Sequence, residues 1–302
     1  MDAPADPWLN QFLLHLLQER RLSVHTQSNY KRDLESLGRW LHRQGISDWA
    51  DATPEHMRTF AAHAFRNGKS ARTISRGLSA ARTFYRYLSR EQRVARNPVD
   101  GVSAPRASKR LPEALDADTM TRLLAIEGTE PLTQRDRAIL ELLYSSGLRL
   151  AELVGLDTGD ISMSDRTVRV LGKGNKERIV PVGRQALSAI TAWMQTRTSL
   201  AAVSEPALFV SQRGQRISPR AVQLRVRHWA RVQGLDARVY PHLFRHSCAT
   251  HVLESSRDLR GVQELLGHAD IGTTQVYTHL DFQHLAQIYD QAHPRAKRRR
   301  DD

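Results

Sequence analysis

The sequence predicts a mainly α-helical protein with a small antiparallel β-sheet, divided into two domains. Three observations support this fold class. Apolar residues recur at helical spacing along most of the chain, strand-like patterns are confined to residues 160–182, and a stretch rich in proline and basic residues separates two helical regions. At 302 residues the chain is long enough for two domains, each with its own hydrophobic core.

Four helices are predicted in the first 96 residues from their start and stop signals. Helix starts are predicted at Pro7, Ser23, Thr53 with Pro54, and Ser70, and helix ends near Gly45, Gly68 and Glu91.

The fourth of these helices has two chemically opposite faces. Six arginines fall within an arc of about 120°, and six apolar residues lie on the other side. The arginines are Arg72, Arg76, Arg82, Arg86, Arg90 and Arg93; the apolar residues are Ile74, Leu78, Ala81, Phe84, Tyr85 and Leu88. An ordinary solvated face mixes charges, and this one has no acid before Glu91. We therefore interpret Arg72, Arg76, Arg82, Arg86 and Arg90 as nucleic-acid contacts; a solvated surface is the alternative.

Residues 97–115 hold three prolines without periodicity and are predicted to form an interdomain linker.

The second domain, 116–302, begins with helices, including Asp136–Ser146 closed by Gly147. Three short strands joined by polar turns follow, with Lys173 at a hairpin tip. They are predicted at Asp160–Ser164, Thr167–Leu171 and Arg178–Val182. Helices resume at Arg184, and the basic ending AKRRRDD is too charged to pack.

The charge balance favours a polyanionic partner. The chain holds 45 Lys and Arg against 32 Asp and Glu, a formal net charge of +13, which is typical of nucleic-acid-binding proteins. Cys248 is the single cysteine, so an internal disulfide and a cysteine-rich zinc module are excluded. Because no signal peptide and no apolar run of membrane-spanning length is found, we expect a cytoplasmic protein with no membrane association.

Motifs for nucleotide-dependent and hydrolytic chemistry are missing. GKGNKER has the lysine of a phosphate-binding loop but neither its spacing nor its hydroxyl, and no H-E-x-x-H or G-x-S-x-G motif is found. We expect no cofactor.

The segment PHLFRHSCATH places His242 and Arg245 on one side of a predicted first helical turn, where an anion is favoured. His242 and His246 also have a metal-ligand spacing, but no carboxylate or cysteine joins them and Arg245 would repel a metal ion. A metal is therefore not expected. We interpret His246 and His251 as structural.

Two further residues have open alternatives. Arg149 follows the helix stop at Gly147, and by itself it is typical of a surface ion pair, here with Glu152. Tyr277 lies in LLGHADIGTTQVYTH, and most tyrosines near a helix only bury a ring.

Taken together, these segments resemble the tyrosine recombinases, or λ-integrase family. The matching features are Arg149 in SGLRLAEL, Lys173 in a hairpin, His242-x-x-Arg245, LLGH ending in His268, and Tyr277 nine residues later. The resemblance covers nearly the whole chain. It implies an N-terminal four-helix DNA-binding domain, a linker and an α-rich catalytic domain.

The resemblance also implies a role for each residue of this set. Tyr277 would be the nucleophile that forms a 3′-phosphotyrosyl link to DNA, without cofactor or metal. Arg149 and Arg245 would bind the phosphate oxygens, and Lys173 would protonate the leaving 5′-oxygen. His242 would accept the tyrosine proton, and His268 would hydrogen-bond the phosphate.

Within the family, the C-terminal segments are similar to the bacterial Xer recombinases that resolve chromosome dimers. This implies a short, partly palindromic DNA duplex as substrate and a heterotetramer with a XerD-like recombinase. It also implies an FtsK-like cell-division translocase as regulator, and a protomer contact through Asp281–Ala292. Two alternatives are a catalytically silent DNA-binding protein and an enzyme of the type IB topoisomerase class.

Overall fold

The computed structural model describes residues 6–18, 24–105, 114–172, 177–235 and 239–256. The chain divides into two compact units, Met1–Arg110 and Leu111–Asp302.

The N-terminal unit contains the four predicted helices. They are α1 (Pro7–Gln18), α2 (Val24–Arg43), α3 (Pro54–Arg66) and α4 (Ala71–Arg90). The predicted caps are present: the Thr53 hydroxyl accepts from the His56 N–H, and the Ser70 hydroxyl accepts from the Thr73 N–H. The local start signals of α3 and α4 are thereby confirmed.

The core of this unit is built on the apolar face of α4. All six predicted apolar residues of that face are buried. Phe84 packs edge-on against Phe12 of α1, with ring centroids 5.2 Å apart. The Tyr85 hydroxyl donates a hydrogen bond of 3.1 Å to the Trp49 carbonyl, so this tyrosine has a packing role.

The first part of the predicted linker belongs to the N-terminal unit. Val99 and Val102 are buried in its core. The Arg82 guanidinium donates to both of their carbonyls, at 3.3 and 3.0 Å. At the other end, Leu115 is buried in the second unit and its N–H donates to the Ser247 hydroxyl. The predicted linker is therefore anchored at both ends.

The second unit has six helices and three strands within the described residues. They are α5 (Ala117–Leu124), α6 (Pro131–Ser145), α7 (Leu150–Gly155), β1 (Ile161–Ser162), β2 (Thr167–Leu171), β3 (Glu177–Pro181), α8 (Arg184–Arg197), α9 (Pro219–Val232) and α10 (Pro241–Ser256). The strands form one antiparallel sheet in the order β1-β2-β3, and Val168 pairs with Val180. The predicted mainly α fold with a small antiparallel sheet is confirmed. Helix α6 begins earlier than predicted because Pro131 occupies a first-turn position.

Helix α6 lies in the core of this unit and packs against α8 and α10. The helix also buries charge. Asp136 is fully buried, and its carboxylate accepts hydrogen bonds from Arg135, Arg225 and the Trp229 indole. A buried carboxylate is tolerated when its oxygens are fully paired in this way. Among the described residues, no helix is long and apolar enough to cross a membrane.

Candidate active site

The site is organised by the turn that ends α6. Gly147 has a φ of +54°, a value that glycine adopts without strain, and the chain turns there toward Arg149. The Ser146 hydroxyl donates to the Pro181 carbonyl at 2.9 Å, and the Ser145 hydroxyl accepts from the Gly183 N–H at 2.7 Å. The end of α6 is thus fixed to the end of β3.

Arg149 immediately precedes α7 and contacts Glu152. Its backbone N–H and its Nη1 each donate to the Glu152 carboxylate at 2.8 Å. The ion pair considered from the sequence is therefore present. It uses only part of the guanidinium, whose five N–H donors exceed what one carboxylate oxygen can accept. Since the Arg149 side chain is 44% exposed, it can also bind an anion.

Glu152 is held by a second arginine that the sequence prediction did not include. Arg178 of β3 donates to both carboxylate oxygens, at 2.8 and 2.9 Å. Burial alone would raise the pKa of Glu152, but hydrogen bonds from Arg178 and Arg149 hold it below its usual value. Arg178 could have been identified from the alternation of side chains along β3, which places it on the same side as buried Val180.

Arg245 is the fifth residue of α10 and is only 5% exposed. Its Nη1 donates to the Gly147 carbonyl at 2.6 Å. Burial, followed by the positive charge of Arg149, lowers the pKa of Arg245 to about 10. The guanidinium therefore stays protonated at neutral pH. The turn at Gly147 links the two predicted arginines, because its carbonyl accepts from Arg245 and Arg149 follows it by two residues.

The histidines near α10 differ in exposure. His242 is exposed, whereas Arg245, three residues later in α10, is buried. His251 is buried, its Nδ1 lies 2.8 Å from the Tyr144 hydroxyl, and burial lowers its pKa. The structural interpretation of His251 is confirmed. His246 is half-buried, and Cys248 is a small buried core residue.

Three members of the predicted set are not placed. Lys173, His268 and Tyr277 lie outside the described residues, as does the predicted contact segment Asp281–Ala292. The strands that flank Lys173 are described, and Leu171 of β2 pairs with Glu177 of β3. In the part of the chain that is described, no group of three or more His, Cys, Asp or Glu side chains is arranged to hold a metal ion.

The basic face of α4 is less uniform than the sequence indicates. Arg76 forms two hydrogen bonds with Asp33 of α2, at 2.8 and 2.9 Å. Arg82 is half-buried against the 97–102 segment, a structural role that the sequence prediction did not include. Arg72, Arg86 and Arg90 are exposed. Arg86 and Arg90, with Arg96, line a surface depression of about 540 Å³.

Comparisons with known proteins agree with this architecture. Residues 113–284 match the phage integrase family, and residues 9–92 match the N-terminal SAM-like domain of phage integrases. The chain is 54% identical over 297 residues to the tyrosine recombinase XerC of Alcanivorax borkumensis, covering 97% of this chain and 96% of that protein. It is 52% identical over 293 residues to XerC of Pseudomonas aeruginosa, with 96% of each protein covered.

Solved structures show the same fold at lower identity. A λ integrase (75–356) dimer bound to a COC′ core site has a TM-score of 0.68 at 20% identity, covering 90% of this chain and 98% of that one. XerH recombinase bound to palindromic difH substrate has a TM-score of 0.70 at 20% identity, covering 94% and 81%. On the family matches and the near full-length identity to its relatives, the chain belongs to the phage integrase family and is a tyrosine recombinase, an enzyme that cleaves and rejoins DNA.

Proposed function

We propose that this chain is the XerC-type member of a recombinase pair that resolves chromosome dimers at cell division. The pair would act in the cytoplasm on a short, partly palindromic DNA site, as a heterotetramer with a XerD-like recombinase and under an FtsK-like translocase. Identity of 54% to a XerC over 97% of the chain supports this role. For the chemistry, the observation that carries the proposal is the placement of Arg149 and Arg245 around Gly147.

The two arginines suit a phosphodiester in its transition state. Negative charge builds on the non-bridging oxygens as the attacking oxygen approaches phosphorus. A guanidinium stays charged and presents parallel N–H donors, so it matches two such oxygens. Arg245 is held by the Gly147 carbonyl and Arg149 by Glu152, so both are oriented before DNA binds.

The remaining roles follow from the family. The Tyr277 oxygen forms a bond to phosphorus and the bond from phosphorus to the 5′-oxygen breaks, giving a 3′-phosphotyrosyl link. The tyrosine proton passes to His242, and Lys173 gives a proton to the departing 5′-oxygen. His268 hydrogen-bonds the phosphate. Attack by the 5′-hydroxyl of the partner strand then reverses these steps, so the bond energy is conserved and no nucleotide cofactor is needed.

Resolution of a circular DNA tests the proposal. A supercoiled plasmid carrying two directly repeated Xer-type sites is incubated with this protein, with a XerD-type partner, or with both. We expect two smaller circles only when both proteins are present.

The other outcomes favour the rival functions. Relaxation of supercoils without recombination would favour a topoisomerase-like enzyme. Site binding without cleavage, even with the partner added, would favour a catalytically silent DNA-binding protein. Resolution by this protein alone would contradict the paired role.

The basic face gives a separate prediction about DNA affinity. Replacement of exposed Arg86 by Ala should weaken binding to specific and unrelated duplexes alike, because phosphate contacts carry no sequence information. For a protein with roughly ten phosphate contacts, affinity falls by about 10³–10⁵ between about 50 and 200 mM salt. The slope of log affinity against log salt should decrease by about 0.9 for one lost contact. Fluorescence anisotropy over a salt series measures both quantities.

Arg82→Ala is the matched comparison on the same helix. Arg82 is bonded to the carbonyls of Val99 and Val102, so we expect a loss of about 1–3 kcal/mol in the free energy of unfolding. Its salt slope should remain close to that of the wild type. An unchanged slope in Arg86→Ala would contradict the assignment of this face to DNA.

A further inference from the structure

A single buried carboxylate holds two arginines beside the site. Glu152 has a side chain only 4% exposed, and its oxygens accept four hydrogen bonds. Oε1 accepts from Nη1 of Arg149 and Nη1 of Arg178, and Oε2 accepts from the Arg149 N–H and Nη2 of Arg178. A carboxylate has about four acceptor sites, so this one is saturated.

The two arginines use the carboxylate differently. Arg178 spans both oxygens with two nitrogens, which is the bidentate geometry of a strong arginine–carboxylate pair. Arg149 gives the same carboxylate one guanidinium nitrogen and its backbone N–H. Because Arg178 occupies the bidentate position, Glu152 binds only one guanidinium nitrogen of Arg149. The other N–H donors of the Arg149 guanidinium remain available to a phosphate.

Arg178 also connects Arg149 to the sheet. It is the second residue of β3 and pairs with Val170 of β2, the strand that leads toward Lys173. Its side chain is 10% exposed, and among the residues that the structure describes its Nε is buried without a hydrogen-bond partner. A buried donor without a partner lowers stability and offsets part of what the two hydrogen bonds to Glu152 contribute.

We propose that Arg178 is a positioning residue for recombination: by taking the bidentate place on Glu152, it keeps the Arg149 guanidinium directed at the scissile phosphate. This inference rests on the proposed phosphate-binding role of Arg149. Arg178 itself does not touch the DNA.

Single-turnover cleavage of a nicked suicide duplex carrying a Xer-type site tests this role, with DNA affinity measured in parallel. At saturating DNA, Arg178→Met should form the covalent protein–DNA adduct about 10²-fold more slowly, which is the cost of a misplaced catalytic group. Arg178→Lys should recover part of the rate, since it keeps the charge but not the fork. DNA affinity should be unchanged in both variants, because Arg178 itself does not touch the DNA.

Arg169→Met is the matched control. Arg169 lies on the neighbouring strand, is 54% exposed and binds Asp160 instead of Glu152. Its adduct should form at the wild-type rate. A wild-type rate in Arg178→Met would overturn the inference, whereas a wild type that forms no adduct even with a XerD-type partner would overturn the proposed function instead.

A double-mutant comparison separates positioning from a general loss of structure. If Arg178 acts through Arg149, adding Arg178→Lys to Arg149→Ala should slow the reaction by less than about 2-fold beyond Arg149→Ala alone. If Arg178→Lys slows the reaction as much in the Arg149→Ala protein as in the wild type, the two residues act independently and the proposal is wrong. The lysine variant keeps this test available even if Arg178→Met does not fold.

Discussion

Tyr277→Phe is expected to abolish the covalent protein–DNA adduct completely. Phenylalanine keeps the ring but has no hydroxyl, so no oxygen can bond to phosphorus at this position. DNA affinity should stay at the wild-type value, because binding depends on basic residues elsewhere in the chain. The measurement is a nicked suicide duplex with a Xer-type site, incubated without metal or ATP, denatured and separated by electrophoresis. The wild type should give a shifted band.

Tyr240→Phe serves as the matched control, since Tyr240 is 40% exposed and directly precedes α10. This variant should form the adduct at the wild-type rate. An adduct formed by Tyr277→Phe would mean that another residue is the nucleophile, and the role of Tyr277 would have to be withdrawn. If the wild type binds the duplex tightly but forms no adduct even with a XerD-type partner, the catalytically silent alternative gains support.

The N-terminal helices could be predicted from the sequence because their signals are local. Thr53 followed by Pro54, and Ser70 before a long amphipathic run, mark helix starts without any knowledge of distant residues. The packing of Val99 and Val102 could not be predicted in the same way. They lie in a stretch without periodicity, and only the tertiary contact with α4 buries them.

The basic face of α4 shows a similar limit. A helical projection treats one helix in isolation, so it correctly separates the arginines from the apolar face. It contains no information about Asp33 on α2, which engages Arg76. Arg72, Arg86 and Arg90 are exposed on this face.

At the candidate site, the order and spacing of the residues could be predicted from the sequence. The contacts that hold their side chains in place could not. Arg149 and Arg245 are distant in the chain, and their proximity depends on the Gly147 carbonyl reaching α10. Glu152 was considered only as a surface partner of Arg149, yet it is buried between two arginines. Strand alternation places Arg178 on the core side, but it does not reveal which carboxylate lies there.

Arg245→Lys is expected to reduce the rate of adduct formation by about 10²–10³-fold, since lysine lacks the planar fork. The loss should also depend on pH. Burial and the charges of Arg149 and Arg178 lower the pKa of Arg245 to about 10, and the same surroundings would act on a lysine. Lysine starts from an ordinary pKa of about 10.4, about two or more units below that of arginine. It would therefore lose its proton much closer to neutral pH.

The sign of this effect follows from the direction of the shift. A base with a lowered pKa is charged at low pH and neutral above that pKa. The Arg245→Lys variant should therefore form the adduct more slowly, relative to the wild type, as pH rises. The ratio of wild-type to Arg245→Lys rate should increase between about pH 6 and pH 8.5, a range in which the arginine stays protonated. Arg149→Lys is the control, because its side chain is 44% exposed and contacts Glu152, so its ratio should change little. A ratio for Arg245→Lys that does not vary with pH would show that burial at this position does not govern the charge on the phosphate-binding group.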